Sequence, residues 1–326
     1  MARTFLSTRL ESLNPTPELC RRSFLERIGA AAAALPLWAA SSYAQAAGGA
    51  ARGQAPARGG APAAPAGPQL PLRTTGLEHF GIVVPDVEKA GRFYGSIFNP
   101  ELHKENSDPL RYYVSMGIGY IALGINRQPN TPSRIDHYCA LVDGYNAQAF
   151  QQELTAQGIT VAAGGVGMFG DADGIQLQLL GLPGGLARTT IPAGRIVDKP
   201  ALVRPMGLDH IMLNVTDVEK SAKYYRLVFG KEWSRSATPD RMWFQVGGTR
   251  LGIQAVKPGE TPKVDHFCVS VAGFDAAVVT AGLKELGAEI LSAADESQDR
   301  TRFRDTDLVR FKDPNGVIVE LRGRLA

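Results

Sequence analysis

Five histidines occur in the 326-residue chain, and four of them fall at matched positions. His79 and His210 are 131 residues apart, and His137 and His266 are 129 apart. Imidazole ligates transition metals and titrates near neutrality, so a matched set of this kind is a candidate for metal binding or proton transfer. A lone histidine on a strand is more often a hydrogen-bonded core residue, but core packing gives no reason for four of five to occupy equivalent places. Cys139 and Cys268 each follow a histidine by two residues, which on an extended strand puts them on the histidine's face. With Cys20 they are the chain's three cysteines, too few for a disulfide framework, and they read as small buried side chains. His103 sits in the polar stretch ELHKENSDP and is expected at the surface.

The elements that position these residues are written twice. GLEHFGIVVPDVEKAGRFY (76–94) and GLDHIMLNVTDVEKSAKYY (207–225) keep their spacing without a gap and open an internal duplication of about 110 residues. Each copy predicts a strand (Phe80 to Val84, Ile211 to Val215) and a helix capped by Asp86 or Asp217. The helices carry Val87, Ala90, Tyr94 and Ile97, or Val218, Ala222, Tyr225 and Phe229, at helical spacing. Short strands follow, then a strand at IDHYCALV or VDHFCVSV, a second helix ending near Gly158 or Gly287, and further strands. The copies span 73–181 and 207–326, and the Pro- and Gly-containing stretch 182–206 joins them.

At 44% hydrophobic residues the chain can bury one or two cores. The net charge of +3 comes largely from residues 1–46, where five Arg face three Glu. The near-neutral remainder offers no electrostatic footprint for nucleic acid or an acidic membrane. RRSFLERIGAAAAALPLWAASSYAQA places two arginines before a short apolar run that ends in Ala44-Gln45-Ala46. It resembles a twin-arginine export signal, although Cys20 and Glu26 depart from the usual pattern. The resemblance implies residues 1–46 as a cleaved signal, the twin-arginine export machinery as a partner, and a periplasmic or otherwise extracytoplasmic mature protein with no membrane attachment after cleavage. Residues 47–72, rich in Ala, Gly and Pro, read as a tether.

GLDHIMLNVTDVEKSAKYY, VDHFCVSV and FKDPNGVIVEL, in that order, resemble the vicinal oxygen chelate superfamily of glyoxalases, bleomycin-resistance proteins, fosfomycin-resistance enzymes and extradiol ring-cleaving dioxygenases. The resemblance covers 76–181 and 207–323 and implies an α+β fold, with tandem βαβββ units curling into two cupped mixed sheets. It also implies metal ligands on the first strand of each unit and on the last strand. By position these are His210, His266 and Glu320, a two-histidine, one-carboxylate set that leaves sites open on a divalent ion such as Fe(II) or Mn(II). In the first copy DADGIQLQL aligns with DPNGVIVEL, giving His79, His137 and Gln178. An amide brings no charge to offset the ion, so this site is expected to be weaker. Some relatives build each cup from non-consecutive units; that arrangement would group His79 with His266 and Glu320, and His210 with His137 and Gln178.

For the substrate, Arg302, Arg304 and Arg250 are candidates to bind a carboxylate or enolate oxygen, and Trp243, with Tyr113 and Phe244, to line a wall. Asp136 and Asp265 read as turn or solvent residues. The expected function is a metal-dependent oxygenase acting on a small organic molecule with vicinal oxygens. A lyase or isomerase that stabilises an enolate, and a noncatalytic binding protein of the bleomycin-resistance type, are the alternatives. The stretch RTRFRDTDLVRFKDPNG lacks the His and Tyr that extradiol dioxygenases carry there, which argues against standard catechol cleavage.

Overall fold

The computed structural model describes residues 68–105, 108–126, 132–159, 167–182, 190–237, 239–292 and 308–323. The expected signal, nearly all of the expected tether, and Arg302 and Arg304 lie outside the described residues.

The first module runs β1 (Thr74–Val84), α1 (Val87–Ile97), β2 (Glu101–Glu105), β3 (Arg111–Ser115), β4 (Tyr120–Ile125), β5 (Arg134–Asp143), α2 (Ala147–Ala156), β6 (Met168–Gly170), β7 (Gln176–Leu182) and β8 (Thr190–Arg195). The second repeats the order with β9 (Arg204–Val215), α3 (Val218–Phe229), β10 (Ser234–Ala237), β11 (Asp240–Val246), β12 (Thr249–Ala255), β13 (Lys263–Ala272), α4 (Ala276–Glu285), β14 (Glu289–Leu291), β15 (Leu308–Lys312) and β16 (Ile318–Gly323).

Helix starts follow the sequence. The side chains of Asp86 and Asp217 accept from the amides of Lys89 and Lys220 at 3.0 and 2.9 Å, satisfying first-turn donors of α1 and α3. Asn146 and Asp275 do the same for α2 and α4. The apolar stripes of α1 and α3 lie on the sheets with Tyr94 and Tyr225 fully buried; Phe229, expected in the stripe, is partly exposed.

Each module forms its own eight-stranded mixed sheet, ordered β6-β7-β5-β1-β4-β3-β2-β8 and β10-β11-β12-β9-β13-β16-β15-β14. The central strands β1 and β5 pair antiparallel within the first module, and β9 and β13 within the second, so each cup is built from consecutive units. The exchanged grouping of ligands is thereby excluded. Two features differ from the sequence reading. β1 and β9 begin at Thr74 and Arg204, before Phe80 and Ile211, because their leading residues pair with the far ends of β5 and β13. The joining stretch 182–206 also contains β8, which pairs antiparallel with β2.

The modules share one buried core, with Phe80 of β1 and Phe267 of β13 4.9 Å apart between ring centroids. Their contact is reciprocal. Gly247 (φ +54°) in the β11–β12 turn approaches Thr75 so closely that a Cβ would sit 2.0 Å from the Thr75 carbonyl carbon. Gly117 (φ +85°), in the equivalent β3–β4 turn, meets Pro205 and Met206, where a Cβ would come within 2.8 Å. Both turns need a left-handed residue without a side chain.

Candidate metal centre

Each of the four paired histidines follows an acidic residue: Glu78-His79, Asp136-His137, Asp209-His210 and Asp265-His266. On a regular strand the two side chains of such a pair point to opposite faces. Here the strands bulge at every pair. His210 lies opposite Cys268 and Leu208 opposite Val269, leaving Asp209 as an extra residue; Asp265 is extra between Val264 and His266. β1 and β5 slip in the same way at Glu78 and Asp136. A bulge kinks the strand and re-aims a side chain. Each acid therefore reaches the Nδ1 of its own histidine, at 2.6 Å for Asp209, 2.7 Å for Asp265, 3.0 Å for Glu78 and 3.3 Å for Asp136. Asp265 is thus neither a turn nor a solvent residue, while Asp136 lies in β5 against His137 with its side chain still partly exposed. The doubled acid-histidine dipeptide was the available signal.

A carboxylate only accepts, so each of these histidines donates from Nδ1 and turns the Nε2 lone pair inward. In the second module three adjacent central strands, β9, β13 and β16, bring His210, His266 and Glu320 together, all buried. His210 Nε2 is 3.4 Å from His266 Nε2 and 3.5 Å from Glu320 Oε2, and His266 Nε2 is 3.6 Å from Glu320 Oε1. A cation about 2.1 Å from each of three donors needs them roughly 3.0 to 3.5 Å apart, between right-angled and tetrahedral coordination. At 3.4, 3.5 and 3.6 Å the donors stand at and just beyond the wide end of that range, close enough to suit a divalent ion.

A second layer holds this set. Asp209 is paired with Arg250, and Asp265 with Arg310 at 3.0 Å. Asp265 also accepts from Asn214 (2.9 Å), which accepts in turn from Gln254 (2.8 Å), itself held by the Arg241 guanidinium (3.0 Å from Nε). Burial raises the Asp265 carboxyl, but its His266 hydrogen bond and Arg310 outweigh that and bring it down to about 2. Asp209 and Glu320 are likewise held below the ordinary carboxylate range: burial opposes ionisation, and the neighbouring imidazoles and guanidiniums overcome it. All three are anions at neutral pH.

Arg250 is mostly buried, paired with Asp209 and 5.2 Å over the Trp243 ring, because the β9–β12 register sets it opposite His210. There it clamps the acid behind His210. Trp243 stands edge-on to His210, at 5.1 Å between centroids, while Phe244 is core.

In the first module β1, β5 and β7 bring His79, His137 and Gln178 to the equivalent place. The Nε2 atoms of the two histidines are 3.2 Å apart. His79 is fully buried and its pKa is lowered, burial outweighing the carboxylate of Glu78. Tyr113, the expected wall residue, is buried and donates to Glu105.

The family model of the Glyoxalase/Bleomycin resistance protein/Dioxygenase superfamily matches residues 207–321. The match spans the second module, from the strand of His210 to that of Glu320. Among solved structures it is similar to BphC, a halotolerant catechol dioxygenase (16% identity, TM-score 0.57, 77% of this chain and 87% of that one). The Mn(II)-bound glyoxalase from Novosphingobium aromaticivorans also matches (17%, 0.53, 78% and 84%). So does the 2,3-dioxygenase LapB from Pseudomonas sp. KL28 (13%, 0.55, 78% and 94%). At these identities the likeness is one of fold, and it extends over both modules.

Proposed function

We propose that the chain is an exported, divalent-metal-dependent enzyme whose second module carries out oxygenase chemistry on a small organic substrate with two neighbouring oxygens. The observation that carries this reading is the buried His210, His266 and Glu320 donor set. An ion there, Fe(II) or Mn(II), would supply Lewis acidity and open positions for substrate oxygens and O2. The protein's own part is to hold that face in one geometry. Asp209 and Asp265 fix both imidazoles as Nε2 donors, and Arg250 and Arg310 fix the two acids. Arg310 and Arg322 place positive charge beside Glu320, which favours a substrate that binds as an anion. Trp243 gives an apolar wall against His210. Dioxygenases and a glyoxalase among the similar folds support a metal-dependent reaction. Export is supported by Arg21-Arg22 and the Ala44-Gln45-Ala46 pattern.

One observation favours a lyase or isomerase as the second reading. Residues 308–323 of the second module contain no His or Tyr to act as acid or base, and the site's remaining polar groups are guanidiniums suited to an enolate oxygen. Anaerobic purification, metal analysis, and oxygen uptake with aromatic diols, hydroxy-ketones and 2-oxo acids separate the two. Uptake that requires Fe(II) or Mn(II) and disappears in His266→Ala is expected. Metal-dependent turnover without oxygen would replace the oxygenase by the lyase or isomerase. A chain that loses no metal in Glu320→Ala would overturn the site itself.

A further inference from the structure

The two modules differ in the row of residues beyond His266 and His137. In β9, β12 and β11 the register aligns Asn214, Gln254 and Arg241, all three buried. In β1, β4 and β3 the same places hold Val83, Gly124 and Arg111. The sheet is therefore built equally well with no polar side chain at the first two, whereas burying an amide costs free energy unless it is hydrogen-bonded. In the first module Asp136 takes Arg134 directly at 2.9 Å, and Val83 and Gly124 give Arg111 no side-chain amide through which to reach it.

The three polar side chains of the second module form a chain of hydrogen bonds with a fixed direction. Arg241 only donates, and its Nε and Nη2 both reach Gln254 Oε1. Gln254 Nε2 donates to Asn214 Oδ1 at 2.8 Å, and Asn214 Nδ2 to Asp265 Oδ1 at 2.9 Å. Asp265, an anion, only accepts. A donor-only cation at one end and an acceptor-only carboxylate at the other leave each amide a single orientation. The carboxylate is divided accordingly: Asn214 holds Oδ1, while His266 Nδ1 and Arg310 share Oδ2 at 2.7 and 3.0 Å. With Oδ1 pinned, Oδ2 stays on the Nδ1 proton and His266 keeps its Nε2 lone pair for an ion.

We propose that Arg241, three side chains removed from His266, is a positioning residue of the metal centre. Through Gln254 and Asn214 it sets how Asp265 sits, and thereby the tautomer of His266. Its effect on metal affinity rests on the proposed ligand role of His266; its effect on the tautomer does not.

The test compares Arg241→Leu, Arg241→Lys and Gln254→Glu in the full mature chain. Nitrogen–proton correlation spectra of the imidazoles in metal-free protein, with His266 assigned by its loss in His266→Ala, should show Nδ1–H in the parent and in Arg241→Lys. Arg241→Leu should add a second set of His266 signals, protonated at Nε2, while His79 and His137 stay unmoved. Mn(II) affinity by chelator competition should fall about tenfold in Arg241→Leu and return in Arg241→Lys. Gln254→Glu keeps the shape and the Arg241 partner but places an acceptor-only group on each side of Asn214. Its added negative charge alone would tighten cation binding, whereas the relay predicts about tenfold weaker Mn(II) and the same new His266 signals. Gln254→Glu decides the matter should Arg241→Leu lose its fold by circular dichroism. An unmoved His266 tautomer in the folded variants overturns the proposal, as does tighter Mn(II) in Gln254→Glu. A parent chain that takes up no Mn(II) or Fe(II) overturns the proposed function instead, and the tautomer result still decides the relay.

Discussion

Tyr94 of the first module donates its hydroxyl to Asp313 of the second at 2.9 Å, across the boundary between the two. Tyr225 of the second module returns the contact to Asp171 of the first at 2.7 Å. Both aspartates begin the turn that leads into the strand of Gln178 or Glu320, and both tyrosines come from the helix after the first histidine strand. The duplicated halves therefore clasp each other through the same two positions, used in both directions.

The clasp has a pH signature. Burial raises the pKa of Asp313, while backbone amides, led by that of Val317, and the Tyr94 hydroxyl pull it back only in part. A carboxyl raised in the folded state costs stability as pH rises from about 4 through its folded pKa. Tyr94→Phe removes one stabiliser of the anion, so the folded pKa climbs further and the loss grows with pH. Denaturant unfolding should show Tyr94→Phe destabilised by about 1.5 to 3 kcal/mol at pH 7 and by clearly less at pH 4. An equal loss at both pH values would mean that Asp313 is not the partner that matters.

Replacing an acid behind a histidine tests the second layer without touching a proposed ligand. Asp265→Asn keeps the shape but no longer obliges His266 to donate from Nδ1. Affinity of the second module for Fe(II) or Mn(II) should fall about 10- to 100-fold by chelator competition. Asp209→Asn should behave alike, and unaltered affinity in both would reduce the acids to bystanders.

Cys139 and Cys268 are fully buried, and burial pushes both thiols well above their ordinary pKa. The folded mature chain should leave both unmodified by a thiol reagent at pH 8, and both should react once it is denatured. Rapid labelling of the native protein would show that the strand faces open.

Export predicts a mature chain starting at Ala47. Intact mass measured on the extracytoplasmic fraction should show that N-terminus, and Arg21→Lys with Arg22→Lys should retain the uncleaved precursor inside. A cytoplasmic protein that still begins near Met1 would refute the assignment.

The duplication, the Asp86 and Asp217 caps and the position of the histidines were legible because each depends on spacing along one chain. The acid-histidine bulges were not, since alternation along a regular strand assigns neighbours to opposite faces, and one inserted residue breaks that rule. Arg250 is a related case: its residue type suits a substrate oxygen, and only the parallel register with β9 reveals that it pairs with Asp209. β8 was hidden by Pro192 and Gly194, which read as linker residues; a proline is accommodated in a strand at a sheet edge, where β8 lies.

That eighth strand gives the joining stretch a second duty. Without it β2 would be the margin of the first sheet, with the amides and carbonyls of Glu101–Glu105 free to recruit a strand from another molecule. β8 covers them, and it carries Pro192, which has no amide hydrogen to offer a ladder. A fragment cut after Leu182 would lose this guard and tend to self-associate, so the severable boundary between the halves lies beyond Arg195.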